Sequence, residues 1–214
     1  MNLLQPNKLT FQNKIYHINT SFQLVIEYFK YINDSDHLSI EERLNLALFS
    51  FVKEPTKQLN IQQKTELVEK IYSSFIFTKK DQQRADLMKH QKKSFDYDQD
   101  MDLIYSAFLQ QYNIDLSDPD IFQKLSWKKF NALLDGLTDE TFFRKVTSYR
   151  QVKITDDMND DTKQFLNQMK LLYALDSTSK DGKLSKEELA AILAPLDMKH
   201  KMLKKRELRN AGKI

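Results

Sequence analysis

Asp96, Asp98, Asp100 and Asp102 form an alternating run of carboxylates. Acids gathered this way could hold a hard cation such as Mg²⁺ or Ca²⁺, which demands oxygen ligands. The run has no glycine to make the sharp turn of a calcium loop, and a helix starting there would splay its later members apart. Helix capping and complementing the helix dipole account for it better. A second candidate is DSTSKDGKLSKEE, residues 176–188. With Gly182 at the sixth loop position of an EF-hand, Ser177, Ser179, Asp181 and Ser185 fall at positions one, three, five and nine, and Glu188 at twelve. Serines at the first and third positions remove two carboxylates that calcium requires. The stretch therefore reads as a helix–turn–helix connection whose glycine permits positive φ.

Other chemistry finds less support. His17, His37, His90 and His200 share no i,i+4 face, so no zinc or triad spacing exists. No G-x-S-x-G elbow is present, and three glycines are too few for a glycine-rich phosphate loop. The absence of cysteine excludes disulfides, thiol nucleophiles and thiolate zinc sites. The chain is expected to be a non-enzymatic protein without a metal or other cofactor.

Two further groups could bind macromolecules. Seven basic residues lie in 199–213 against Glu207 alone, a net of +6 that leaves −3 for the rest of the chain, given the overall +3. Such a run could neutralise phosphates, but no aromatic residues interleave there to stack on bases. The run is expected to be a solvated terminal segment with an amphipathic helical tendency, with nucleic acid as the minor alternative. Met202, Leu203 and Leu208 are too few to anchor it on a membrane. The fourteen Phe, nine Tyr and one Trp mostly fall at helical spacing, so core packing is their default role. Trp127, beside Lys128 and Lys129, could instead anchor an interface.

These residues must be positioned by helices. Three glycines and four prolines in 214 residues are too few for the turns of an all-β fold. Only residues 9–18 alternate modestly, at Leu9, Phe11, Ile15 and Ile18, predicting a small hairpin with Gln12-Asn13-Lys14 between its halves. Thr20 with Gln23 predicts a capping box before Phe22, Val25, Ile26, Phe29 and Ile32, and Ser39 with Glu42 predicts another. A third helix spans residues 61–77 and a fourth 99–112, with Tyr105, Leu109 and Tyr112 among its inward residues. Asp118-Pro119 starts a helix, Ser126 caps one carrying Trp127 and Phe130, and Gly136 stands where a left-handed residue is wanted. Helices near 138–149 and 160–174 follow, the latter with Phe165, Leu166, Met169, Leu172 and Tyr173 inward, and a last one starts at Ser185 and stops at Pro195.

The fold class is mainly α, an irregular bundle of about seven to eight helices with the N-terminal hairpin. A helical subdomain over 1–80, a polar linker or helix extension over 81–94, a second helical subdomain over 95–195 and a basic tail over 196–214 complete the organisation. No run approaches the roughly 18 apolar residues of a membrane span, and MNLLQPNK carries no secretion signal.

Residues 95–150 carry the most specific signal. They open FDYDQDMDLIYSAFLQQYNIDL, hold Trp127 with Phe130 and the ALLDGL run, and close on Tyr149-Arg150. With KIYHINTSFQLVIEYFKYIND near the start, this resembles the "gene product fifteen" proteins of phages and prophages of Gram-positive bacteria, over most of residues 9–175. Trp127 is followed by Lys128 where a second tryptophan is expected in the family, and the basic extension matches none of its motifs. The resemblance implies a helical, non-catalytic chaperone of tail assembly in the cytoplasm of the bacterial host. It would bind the tape-measure protein and give way to tail-tube subunits. A minor tail component retained in the virion is the alternative. Tyr97, Tyr105, Trp127, Phe130 and Tyr149 are the expected groove or its support.

Overall fold

Gln12 and Asn13 have φ of 48° and 60° and join strands β1 (Asn7–Phe11) and β2 (Lys14–Ile18) in a two-residue turn. Positive φ at both central residues matches the twist of antiparallel strands, and Asn tolerates it better than most side chains. The register pairs Phe11 with Lys14 and Leu9 with Tyr16. Phe11, Tyr16 and Ile18 therefore point inward, while Ile15 is 55% exposed. The structure is a computed structural model and describes residues 7–32, 36–87, 93–176 and 198–210.

Helix α1 (Phe22–Ile32) buries Phe22, Val25, Ile26 and Tyr28. The capping box expected at its start does not form. The Thr20 hydroxyl accepts from Asn7, and the Gln23 side chain donates to the Leu116 carbonyl. Both groups serve tertiary contacts instead. The box at Ser39 and Glu42 does open α2 (Ile40–Phe51), and Asn60 with Gln63 forms another before α3 (Ile61–Ile71). The third helix was expected to run to Phe77, but α-geometry ends at Ile71 and a π-helical turn spans Tyr72–Ile76. Helix α4 (Lys79–Leu87) buries no residue, and its first turn is held by Asp81 accepting from the Thr78 amide and hydroxyl.

Helix α5 (Met101–Tyr112) buries Ile104, Ala107 and Phe108. Leu109, expected inward, is 42% exposed, while Tyr105 and Tyr112 are half-buried. Asn113, at φ 52°, ends the helix as Asn readily does. Asp118 caps α6 (Pro119–Lys124) with Pro119 in the first turn, as the sequence predicts. Ser126 stands at the N-terminus of α7 (Trp127–Asp135) without a side-chain capping bond. Gly136 is not left-handed: its φ is −82°. A Cβ there would lie 3.0 Å from the Tyr112 hydroxyl, so close approach rather than backbone conformation favours glycine.

Helices α8 (Phe142–Gln151) and α9 (Asp160–Leu172) pack on each other, and α10 (Met198–Asn210) follows. Ten α-helices stand among the described residues, against seven to eight expected. The additions are the polar α4 and the basic α10, which lack the apolar periodicity that announces a packed helix. The stretch resembling a calcium loop, Ser177–Glu188, and the helix expected before Pro195 lie outside the described residues.

The chain forms two compact units: Met1–Gln91 with Leu103–Thr141, and Lys92–Asp102 with Phe142–Ile214. This differs from the expected succession of 1–80 and 95–195. The cause is local pairing between the starts of α1 and α7. Trp127 donates its amide to the Thr20 carbonyl at 2.6 Å, Phe22 donates to Leu125 at 3.2 Å, and Ser21 bridges Ser126.

Candidate functional site

In the first unit the paired helix starts bring aromatic rings together. Phe130 is fully buried, stacked on Phe22 at 4.7 Å and on Phe108 at 5.2 Å. Trp127 lies 5.8 Å from Phe130 and meets Phe29 edge-on at 5.6 Å. Its indole N–H donates to the Ile76 carbonyl at 3.1 Å. That carbonyl belongs to the π-helical turn, where the wider winding leaves backbone groups for outside partners. A buried Trp needs such an acceptor, and this one fixes α7 to the end of α3.

Tyr28, Tyr31 and Tyr72 form a second cluster in this unit. Burial, then the neighbouring Tyr72 and Tyr31, push the Tyr28 hydroxyl up to about 12. It therefore stays neutral, which suits a packing role.

The second unit is organised by a charge pair. Arg150 donates to both carboxylate oxygens of Asp100, at 2.6 and 2.8 Å. The side chains retain only 10% and 3% of their exposure. Arg150 also donates to the carbonyls of Ser94 at 3.0 Å and Tyr173 at 2.6 Å, and Asp100 accepts from the Asp96 amide. A planar guanidinium against a bidentate carboxylate is the strongest geometry for such a pair. Asp100 lies just before α5 and Arg150 near the end of α8, so each charge also suits its helix dipole. The Lys170 ammonium donates to the Arg150 carbonyl, and Gln99 exchanges two hydrogen bonds with the backbone of Asp176. The two ends of the stretch 95–150 thus close on each other.

Beside this clamp four rings form a chain across α8 and α9. Phe142 meets Tyr173 edge-on at 5.7 Å, Tyr173 stacks on Tyr149 at 6.4 Å, and Tyr149 meets Phe165 edge-on at 5.9 Å. Phe142 and Phe165 are 44% and 47% exposed, and Leu172 is 65% exposed. Only Leu166 on α9 is buried, so the inward placement expected for Phe165 and Leu172 is overturned. A face of linked, partly exposed rings offers apolar contact area at low entropic cost.

The five residues expected to form a groove or its support are divided between the units. Trp127 and Phe130 are interior to the first, where they support structure and offer no surface. Tyr105 is half-buried there, and hydrogen bonds from Ser117 and then Tyr105 hold the Asp115 carboxyl below its ordinary range. Tyr97 is half-buried in the second unit and meets Phe95 edge-on, while Phe95 meets the buried Phe143. Tyr149 alone joins the exposed rings. Phe142, Phe165 and Tyr173 have the spacing of core residues, but helical spacing identifies an apolar face without saying whether anything covers it.

The acidic run is absorbed by local structure. Asp96 accepts from the Asp98 and Gln99 amides and pairs with Lys93. Burial opposes its ionisation, but the hydrogen bonds from Lys93, Gln99 and Asp98 hold its carboxyl below the ordinary range. Among the described residues no three acids or histidines gather as metal ligands would. No helix among them is long and apolar enough to cross a membrane.

No curated protein and no solved structure matches the chain. The family model of the bacteriophage Gp15 protein matches residues 3–175, which takes in the aromatic stack, the Asp100–Arg150 clamp and all four linked rings. The chain is a phage protein and belongs to the bacteriophage Gp15 protein family.

Proposed function

We propose that the protein is a non-catalytic chaperone of phage tail assembly, acting in the cytoplasm of the bacterial host. It binds the tape-measure protein during tail morphogenesis and gives way to tail-tube subunits. The observation that carries this reading is the partly exposed chain of rings Phe142, Tyr173, Tyr149 and Phe165, with Leu172 beside it, inside the family-matched residues. A tape-measure protein presents long apolar helical stripes, and a helix can lay such a stripe on an aromatic face. The neighbouring clamp keeps α8 and α9 together, so the face is held ready before a partner arrives.

Co-expression with the tape-measure protein of the same phage, followed by purification of the complex, tests this. The wild-type chain is expected to keep the tape measure soluble and to co-purify with it. Phe165→Ser with Leu172→Ser should lose the complex while the protein stays folded. A tape measure that stays insoluble and unassociated overturns the reading. So does detection of the protein in purified virions, which identifies it as a retained minor tail component.

A further inference from the structure

Helix α10 lies beyond the family-matched residues and is not a free tail, because Leu208 is 7% exposed. Lys201 and Lys204 fall on the same helical stripe as Leu208 and are half-buried. The opposite side presents Met202 and Leu203, at 68% and 50% exposure, among the exposed Lys205, Arg206 and Arg209. Spacings of three and four residues make Met202, Lys205, Arg206 and Arg209 neighbours, and place Leu203 next to Arg206. Lys204 pairs with Glu207, the one acid of the helix. Lys201, Lys205, Arg206 and Arg209 have no ion pair among the described residues.

We propose that this face of α10 docks an acidic amphipathic helix of a partner protein. Cations that pair with no acid among the described residues call for a partner that brings carboxylates, and the exposed Met202 and Leu203 call for one that also brings apolar side chains. A nucleic acid would use the cations and leave both apolar side chains in water, and the helix has no aromatic residue to stack on bases. An anionic bilayer would need more apolar anchors than these two. This surface is independent of the tape-measure reading, since the rings of α8 and α9 take no part in it.

The test uses the full chain and a labelled peptide with leucines on one helical stripe and glutamates on either side. Saturable binding is expected, followed by fluorescence anisotropy. Arg206→Glu with Arg209→Glu should weaken it about tenfold through lost charge pairing. Met202→Ser with Leu203→Ser should weaken it about fivefold through lost apolar burial. Both pairs spare Leu208, so the helical circular dichroism should be unchanged. Equal binding of a peptide with glutamine for glutamate overturns the proposal, as does no binding of the acidic peptide. Preferential binding of duplex DNA, unaffected by the Met202 and Leu203 changes, assigns the face to nucleic acid. Preferential binding of anionic phosphatidylglycerol vesicles assigns it to membrane. Either result overturns the proposal.

Discussion

The two units solve opposite problems with similar residues. The first seals one group of rings, Phe22, Phe108, Trp127 and Phe130, and even the indole N–H finds a carbonyl inside, although Phe49 elsewhere in it is 86% exposed. The second hides a charge pair, Asp100 with Arg150, and leaves Phe142 and Phe165 nearly half in water. A sealed aromatic core supplies stability through area removed from water and through ring contacts. A buried ion pair supplies little net stability, because desolvation consumes most of its attraction, but it permits few alternative arrangements. The second unit therefore fixes the geometry of a surface whose apolar groups stay available.

The widest separation between the units comes from deleting one ring in each. Phe130→Ala leaves a cavity between Phe22 and Phe108 and should cost about 3–5 kcal/mol. Phe165→Ala removes a ring that is 47% exposed and should shift stability by no more than about 0.5 kcal/mol. Urea unfolding of both variants measures the contrast. Equal losses would break the comparison, because they would make the exposed rings part of a core.

Cutting the clamp comes next. Arg150→Met leaves Asp100 buried without its cation and should cost about 3 kcal/mol, the low end for a broken buried pair. Adding Asp100→Asn removes the stranded charge and should recover at least about 1 kcal/mol. Hydrogen exchange resolved by segment sharpens the point: protection should fall in α8 and α9 and hold in α1 and α7. Uniform loss would mean that the clamp supports both units alike.

Much of the first unit was legible, because its determinants are local. Ser39 with Glu42 and Asp118 with Pro119 act within one turn, and they open helices where their spacing says. Thr20 and Gln23 carry the same local signal, yet Asn7 and Leu116 claim their side chains from 13 and 93 residues away. The Asp100–Arg150 pair, 50 residues apart, left no trace in an acidic run whose members look alike. Sequence spacing marked Phe142, Phe165 and Tyr173 as an apolar face but could not count its neighbours. Trp127, Phe130 and Tyr149, expected as a groove or its support, share that helical spacing, yet Trp127 and Phe130 are buried while Tyr149 lies half-buried among the linked rings.

A smaller effect tests the contact that closes the first unit. Gly136→Ala should cost about 1 kcal/mol, since its Cβ would meet the Tyr112 hydroxyl at 3.0 Å and the Ala132 carbonyl at 3.3 Å. In a Tyr112→Phe background the cost should shrink by about 0.5 kcal/mol or more, a coupling that thermal unfolding of the four proteins would give. An unchanged cost would return the explanation to the backbone, against a φ of −82° that alanine adopts freely.

The smallest effect lies at the hairpin, where Glu54 accepts from the His17 amide at 2.8 Å and meets its ring nitrogen at 2.5 Å. Burial works against ionisation of Glu54, but the His17 side-chain and backbone hydrogen bonds outweigh it and lower the carboxyl below its ordinary 4.5. The folded chain thus prefers the ionised form. Its contribution is complete above 4.5 and drains away as pH falls through the lower folded value. Amide exchange in β2 should accordingly lose protection, relative to α7, as pH falls below the ordinary 4.5 and through the lower folded value, once intrinsic rates are corrected. Glu54→Gln keeps one acceptor oxygen without the titration, so it should flatten that dependence. If the wild-type hairpin and α7 respond alike to acid, the hairpin is held by its backbone pairs to Phe51 and Lys53, and Glu54 is incidental to the first unit.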